Sequence, residues 1–565
     1  MTTTSRLGNV LKQTGLLTDA QIQELIAGKR GTGLSVTELV VKNGYAQEDK
    51  FLETLAGVLN LQFVRLDTRT IEQPVLEALP PKVVFQYNAI PLVIENGALL
   101  VATSDPFNAE VMDALRLAAG MRVRIALSPL SDITRAGKKL YGIGADTVEK
   151  MIEDDRIEVD LDQTLLKTDL GELDQEASIV KFVNQVIWEA YNERSTDIHF
   201  EPMEDSLRVR YRVDGILHQT PLPPQLNRFQ AAIISRIKVM ANMDIAEKRL
   251  PQDGRIGLRI QGEDLDIRVS TMPTVYGESV SLRLLMRGKG LVTLPELGLC
   301  AKDAEVIRKM IHRPNGIILV TGPTGCGKST SLYAYINEIN TIDQRILTIE
   351  DPIEYEMPGI NQVQLREDIG LSFASTLRSF LRQDPDVLMV GEIRDYETAE
   401  IAIRASLTGH LVFSTLHTND AAGAVTRMID MGVEPFLVAS AVKLIIAQRL
   451  VRKLCAECRR PSTPDHTLLR SAKFPMDLLS GNTIYEPAGC EKCHGSGYRG
   501  RIGIYELLIV NEDIEPLIIA RESSGKIKQK AISLGMRTLR DDGWDKVIRG
   551  VTTVDEIVCA SEEDV

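Results

Sequence analysis

The sequence predicts an α/β protein whose main body is a P-loop core, and three observations predict it. A buried-strand run, GIILV, breaks at 322–329 into GPTGCGKS and continues as the helical STSLYAYINEI. From about 291 to 450 apolar strands alternate with helices, as in a mostly parallel sheet. Two C-x-x-C pairs follow, CAEC and CEKC. At 565 residues the chain exceeds one ordinary core, so two to four domains are expected.

Along the chain, residues 1–140 read as an N-terminal docking or regulatory region. Leu7, Val10 and Leu11 precede Gly15, and Ile22, Leu25 and Ile26 follow it at helical spacing. Leu39 and Val40 before Gly44, with Phe51, Leu52 and Leu55 after it, echo that pattern. This reads as a pair of helical units; two hairpins with ordinary turn glycines are the plainer reading. Residues 61–140 add a small α/β module, with VVFQYNAIPLVIE, ALLVATSD and VRIALS as strands and a helix near 107–119. The stretch 141–176 is acidic and thinly apolar, a linker that would let the first 140 residues move.

From 177 to 290 the helical SIVKFVNQVIWEAYNERS precedes the alternating strands DIHFEP, LRVRYRVDG, DLDIRVSTMPT and SVSLRLLMR. That predicts a mixed α+β domain with a turn at Asp214-Gly215. The P-loop core then occupies 291–565. Residues 451–565 read as polar and helical, with the cysteines as an insertion at 451–500.

Gly322, Pro323, Thr324, Gly325, Cys326, Gly327, Lys328, Ser329 and Thr330 meet the G-x-x-x-x-G-K-[ST] pattern in its proper strand–helix context. Glycines let backbone N–H groups curl around phosphate oxygens, and the helix N-terminus adds positive potential. Lys328 supplies a mobile charge for the β and γ phosphates, and Ser329 a hydroxyl for Mg²⁺. Hydrolysis also needs carboxylates at neighbouring strand ends. RILTIEDPIEY supplies Glu350, Asp351 and Glu354, and DVLMVGEIRD supplies Glu392, Arg394 and Asp395. Each alone could be a solvated loop acid; together, beside a phosphate loop, they favour chemistry. Glu392 is read as the group that polarises the attacking water, with Glu350 its rival. His410 and His417 flank LVFST, where both could serve one pocket and sense the γ phosphate; a satisfied core histidine is the alternative.

Cys455, Cys458, Cys490 and Cys493, with residues 459–489 between the pairs, carry the spacing of a closed structural zinc site that presents a docking surface. Redox chemistry needs only one such pair. Cys326, inside the loop, is expected to confer sensitivity to thiol reagents.

Composition bounds the rest. A formal net charge of -13 and only Trp188 and Trp544 as tryptophans argue against a nucleic-acid partner. No apolar run reaches about 18 residues, so no membrane-spanning helix is expected. MTTTSRLGNVLKQTG lacks the apolar core of an export signal, so a cytoplasmic location is expected. Seven cysteines make no disulfide scaffold.

TGPTGCGKST, TIEDPIEY, RQDPDVLMVGEIRD and TGHLVFSTLHTND, with the paired cysteines, resemble the bacterial secretion ATPases, the motors of type II secretion and type IV pilus assembly. The likeness spans roughly 175–560 and, more loosely, the N-terminal region. It implies RecA-like cores in a homo-hexamer, each preceded by a mobile PAS-like domain. It implies ATP and Mg²⁺ as cofactors beside Zn²⁺, and hydrolysis that drives an inner-membrane platform protein and its cytoplasmic docking partner. It maps Lys328 and Ser329 onto the phosphate loop, Glu350, Asp351 and Glu354 onto an acidic box, Glu392 onto the third-strand acid, and His410 and His417 onto a histidine box. Arg210, Arg212, Arg249 and Arg255 resemble arginines that complete the site on domain closure, Arg210 and Arg255 first. AAGAVTRMIDMGVEPFL and MANMDIAEKRLPQDGRI look more like the type II export motors, with pilus extension second. The N-terminal module resembles one that binds cyclic di-GMP in some relatives, but Lys29 and Leu34-Ser35 depart from that pattern and argue against the ligand here. A nucleic-acid translocase and a nucleotide-switched scaffold without turnover are the readings from other classes.

Overall fold

The computed structural model describes residues 3–561 apart from 33, 67–69, 143, 146, 148–169, 287–291, 464 and 480. The chain divides into two compact units, Met1–Leu285 and Met286–Val565.

The first unit opens with helices Thr3–Gln13, Asp19–Thr32, Val36–Lys42 and Glu48–Leu59. Their apolar faces close on Leu11, Leu25, Val40, Phe51, Leu52 and Leu55, all 0–1% exposed. Gly15 and Gly44 turn the chain with φ of +68° and +69°, a conformation that costs glycine nothing. Ser35 caps Val36–Lys42 in a capping box with Glu38.

A four-stranded sheet follows in the order Gln62–Phe63, Arg122–Leu127, Ala98–Thr103, Ala89–Glu95. Its last two strands form a hairpin through Asn96 and Gly97, both at positive φ. VVFQYNAIPLVIE is not one strand. Pro81–Tyr87 is helix, Asn88 turns at φ +47°, and only Ala89–Glu95 is extended. Pro81 at the first helical position starts that helix.

The acidic stretch 141–176 lies outside the described residues between 148 and 169. Its first described residues are packed, and its last described ones begin helix Leu170–Asn192. Helix Leu130–Tyr141 is ion-paired through Lys138 to Glu189 of helix Leu170–Asn192. A Cβ on Gly142 would lie 2.8 Å from Leu222, and one on Gly144 2.7 Å from Phe182. Ala145 and Thr147 are buried. The exit from the small module packs on the next domain.

That domain is a six-stranded sheet in the order Ile216–Thr220, Leu207–Val213, Ser195–Pro202, Gly277–Met286, Glu263–Thr274, Gln252–Ile260. Its described registers are antiparallel, not mixed. Asp214 and Gly215, both at positive φ, make the anticipated turn. Alternate residues such as Ile198, Phe200, Val209, Tyr211 and Leu282 are 0–1% exposed and form one apolar face.

The second unit is built on seven strands: β1 (Gly316–Thr321), β2 (Ile346–Glu350), β3 (Asn361–Gln364), β4 (Val387–Val390), β5 (Leu411–Leu416), β6 (Val442–Leu454) and β7 (Tyr498–Ile509). They lie in the order β3-β2-β4-β5-β1-β6-β7. All pairs are parallel except β6–β7. Ile317 and Leu319 join one apolar cluster, Ile318 and Val320 another, so both faces of the sheet are covered. The run GYRGRIGIYEL, read as part of a polar helical tail, is strand β7 with a buried second half.

Candidate functional site

Strand β1 ends at Thr321, and helix Lys328–Ile339 starts six residues after Gly322. Between them Gly322, Gly325 and Gly327 have φ of +151°, +80° and +89°. Gly325 has open space around it, so only its backbone angle requires glycine. Gly322 has no such room: a Cβ there would meet Cys326 Sγ and the Gln448 carbonyl at 2.6 Å. Pro323, Thr324 and Gly325 are exposed at the loop tip, Ser329 is exposed in the first helical turn, and Thr330 is half-buried.

Lys328 Nζ donates to the carbonyls of Gly322 at 2.7 Å and Pro323 at 3.2 Å, and lies 3.4 Å from His417 Nδ1. Burial pushes its pKa below the ordinary value, against the pull of Cys326 and Glu392. His417 Nε2 lies 3.1 Å from Glu392 Oε2. Arg394 is ion-paired to Glu392 and, at 3.3 Å, to Asp351. Lys328, His417, Glu392, Arg394 and Asp351 thus form one chain of contacts across the ends of β1, β5, β4 and β2, where parallel strands of an open α/β sheet bring ligand sites.

Glu350 does not join it. Its carboxylate is 4% exposed and accepts hydrogen bonds from Tyr333, from Thr348 at 2.6 Å and from Gln362 at 3.0 Å. It is a satisfied buried acid of the core, which removes the geometry for water activation expected of it. Glu354 meets the same cluster, its N–H donating to the Tyr333 hydroxyl at 3.1 Å.

His410 is a second correction. It precedes β5, whose Leu411 pairs with Gly316, the residue that begins β1; Leu416 pairs with Thr321, where the loop begins. At about 3.3 Å per residue the two histidines sit roughly 20 Å apart. His410 Nδ1 instead contacts the Ala405 carbonyl at 2.8 Å. Cys326 also differs from expectation: its thiol is 4% exposed, and burial raises its pKa, so it lacks the accessible thiolate that reagents attack.

The arginines belong to the first unit. Arg210 is paired to Glu201, and Arg212 lies 3.7 Å from Asp197 and donates to Gly215 O at 2.9 Å. Arg249 is exposed and holds Glu247 at 2.7 Å. Arg255 is exposed on the outer strand, opposite Arg268.

Cys455, Cys458, Cys490 and Cys493 have sulfurs all within 4.8 Å of one another. Individual separations are 3.7 Å for Cys455–Cys490, 3.8 Å for Cys458–Cys493 and 3.7 Å for Cys490–Cys493. Four thiolates about 2.3 Å from a tetrahedral zinc would lie about 3.8 Å apart, so the residues fit that ion. Burial opposes ionisation of Cys493, but N–H groups of Cys490 and Gly497 aimed at its sulfur lower its pKa to about 7.

Sequence reasoning missed Gln448 and Arg449. They sit on β6 beside the loop, within an apolar run that carries no recognisable motif.

Among the described residues no helix is long and apolar enough to cross a membrane. The family model described as type II/IV secretion system protein matches residues 172–559, and the MshEN domain model matches 59–147. The chain is 40% identical over 557 residues to the type IV pilus assembly ATPase PilB of Myxococcus xanthus, covering 98% of each. It is 41% identical over 558 residues to the type II secretion system protein E of Xanthomonas campestris pv. campestris, covering 98% of this chain and 96% of that one. The structure of the Legionella pneumophila ATPase DotB shares its fold over 68% of this chain and 96% of the other, with a TM-score of 0.50 at 21% identity. With a phosphate loop in strand–helix context and this match over most of its length, the chain belongs to the type II/IV secretion system protein family and is an ATP-hydrolysing enzyme.

Proposed function

We propose that the protein is the ATP-driven motor of type IV pilus assembly. The observation that carries this reading is end-to-end similarity to a pilus assembly ATPase, 98% of each chain, together with an MshEN match at 59–147. It reverses the order the sequence motifs suggested. Type II secretion stays as the second reading, because a type II protein E is matched over 98% of the chain as well. The motor acts as a homo-hexamer of RecA-like cores, peripheral to the inner membrane through a platform protein and its docking partner. The six-stranded domain is taken as its PAS-like element.

In this reading the Gly322–Thr330 backbone grips the phosphates of ATP, and Ser329 offers its hydroxyl to Mg²⁺. Arrival of the γ phosphate gives Lys328 a stronger partner than the two carbonyls it now holds. His417, between Lys328 and Glu392, reports that change to the carboxylate, and Glu392 orients the attacking water. Arg255, exposed opposite Arg268, is the arginine proposed to be recruited; Arg210 and Arg212 would first have to leave Glu201 and Asp197. The four cysteines hold Zn²⁺ as a closed structural site and stiffen the 451–500 segment as a docking surface.

Cyclic di-GMP, set aside on Lys29 and Leu34-Ser35, returns as a ligand to test, supported by the MshEN match. That match covers 59–147 and does not reach Lys29 or Leu34-Ser35.

The experiment replaces the native gene with a Lys328→Ala copy and measures surface fibres and secreted proteins separately. Loss of fibres with secretion intact supports the pilus reading. Loss of secretion with fibres intact supports type II, and normal levels of both refute a motor powered at this loop.

A further inference from the structure

Gln448 is an amide in the middle of an apolar strand and is 1% exposed. Such a group is costly unless both its ends are satisfied. Here each end holds a part of the phosphate loop. Nε2 donates to the Cys326 carbonyl at 2.7 Å, and Oε1 accepts from the Ser331 hydroxyl at 2.8 Å. The two contacts flank Lys328 and Ser329. A loop carbonyl facing the phosphates would repel them; bound to Gln448, the Cys326 carbonyl is held toward β6 and the loop N–H groups are left for the anion.

The next residue extends the grip. Arg449 donates to the Gln448 carbonyl at 3.1 Å and to the Asn419 carbonyl at 2.8 Å. Asn419 is two residues beyond His417, and the Gln448 carbonyl is, with Cys326 Sγ, one of the two atoms that leave no room for a Cβ on Gly322. One guanidinium therefore ties the segment that carries the histidine to strand β6, beside the start of the loop.

We infer that Gln448 and Arg449 are positioning residues for ATP hydrolysis. Gln448 fixes the loop in its phosphate-gripping shape, and Arg449 locks the His417 segment to strand β6, which holds the loop through Gln448, so that Glu392 meets the terminal phosphate in register. The inference rests on the placement of nucleotide at Gly322–Thr330. The two roles separate kinetically. The loop contacts phosphates common to ADP and ATP, so Gln448→Leu weakens both together. The His417 segment acts on the step that consumes the γ phosphate, so Arg449→Gln lowers turnover and spares ADP.

The test uses the full chain with Mg²⁺, a fluorescent ADP for equilibrium binding and steady-state turnover at saturating ATP. Gln448→Leu is expected to lose roughly tenfold or more in ADP affinity, the worth of one or two well-made hydrogen bonds. Arg449→Gln is expected to lose roughly tenfold in kcat while ADP affinity stays within about threefold. Should Gln448→Leu fail to fold, Gln448→Glu carries the same expectation, since it keeps the acceptor for Ser331 and faces the Cys326 carbonyl with an oxygen. Wild-type ADP affinity in the Gln448 variant, or unchanged kcat in Arg449→Gln, overturns the inference. Lys328→Ala binding ADP as the wild type does would instead overturn the loop assignment on which it stands.

Discussion

Nε2 of His417 lies 3.1 Å from Oε2 of Glu392, while the other ring nitrogen faces Lys328 at 3.4 Å. One imidazole therefore touches both the cation that meets the phosphates and the acid proposed to order water. That pairing favours Glu392 as the acid to test first, since Glu350 is held in the core by Tyr333, Thr348 and Gln362.

Glu392→Gln keeps the size of the side chain and removes its charge. Turnover is expected to fall by about 100-fold or more, with ATP still bound, as for a positioned base. Single-turnover kinetics and nucleotide retention on a desalting column check this. Turnover within about threefold of wild type would return the role to another acid.

Glu350→Ala should act on stability. It strands the Tyr333, Thr348 and Gln362 donors in the core, at a cost of about 3 kcal/mol or more. Chemical denaturation measures the loss. Should Glu350→Gln instead denature like the wild type and yet fail to turn over ATP, Glu350 would be a participant in the chemistry after all.

Zinc content follows from the sulfur tetrahedron. Purified protein is expected to carry about one zinc per chain, and Cys455→Ser or Cys490→Ser to lose it, because a three-thiolate site is open and holds the ion less firmly. Elemental analysis after dialysis against a weak chelator gives the answer. A metal-free native protein would leave the cluster as four thiols with a packing role.

Glu193 gives a pH signature to the first unit. Burial, reinforced by Glu189 and opposed by Lys138, raises its pKa from 4.5 to about 7. The folded state then holds this proton more tightly than the unfolded one. Stability from this group is full at low pH and is lost as pH rises through about 7. Glu193 is part-exposed, so water screens the effect to about 1–2 kcal/mol. Glu193→Gln should flatten that decline and raise the melting temperature at pH 8 more than at pH 5. An equal shift at both values would show that charge is not the cause.

How much of this was legible depended on whether a signal was local. The loop could be read because glycines, lysine and hydroxyl are neighbours in sequence and their flanks show strand and helix. Asp214-Gly215 could be read because a tight turn needs left-handed angles at two adjacent residues. Strand β7 could not: its partner β6 lies more than forty residues earlier, and the glycines of GYRGRIG mask the alternation. The histidine spacing gave a separation but not a direction, so both were read as able to serve one pocket although strand length puts them at opposite ends of β5. Glu350 looked catalytic because an acid after an apolar strand is ambiguous until its hydrogen-bond donors are known. Those donors come from Tyr333, Thr348 and Gln362, in three different elements.

The β6–β7 pair enters and leaves the cysteine cluster as the two arms of a single clasp. Leu454 faces Tyr498, and the Cys455 N–H donates to the Gly497 carbonyl at 2.9 Å. Pinned at that neck, the intervening segment can lengthen, shorten or change its outer face with little added cost to the arms, because closure entropy grows slowly with length. Its length and outer face could therefore differ between lineages while Arg449, six residues before Cys455, keeps its bonds to Gln448 and Asn419.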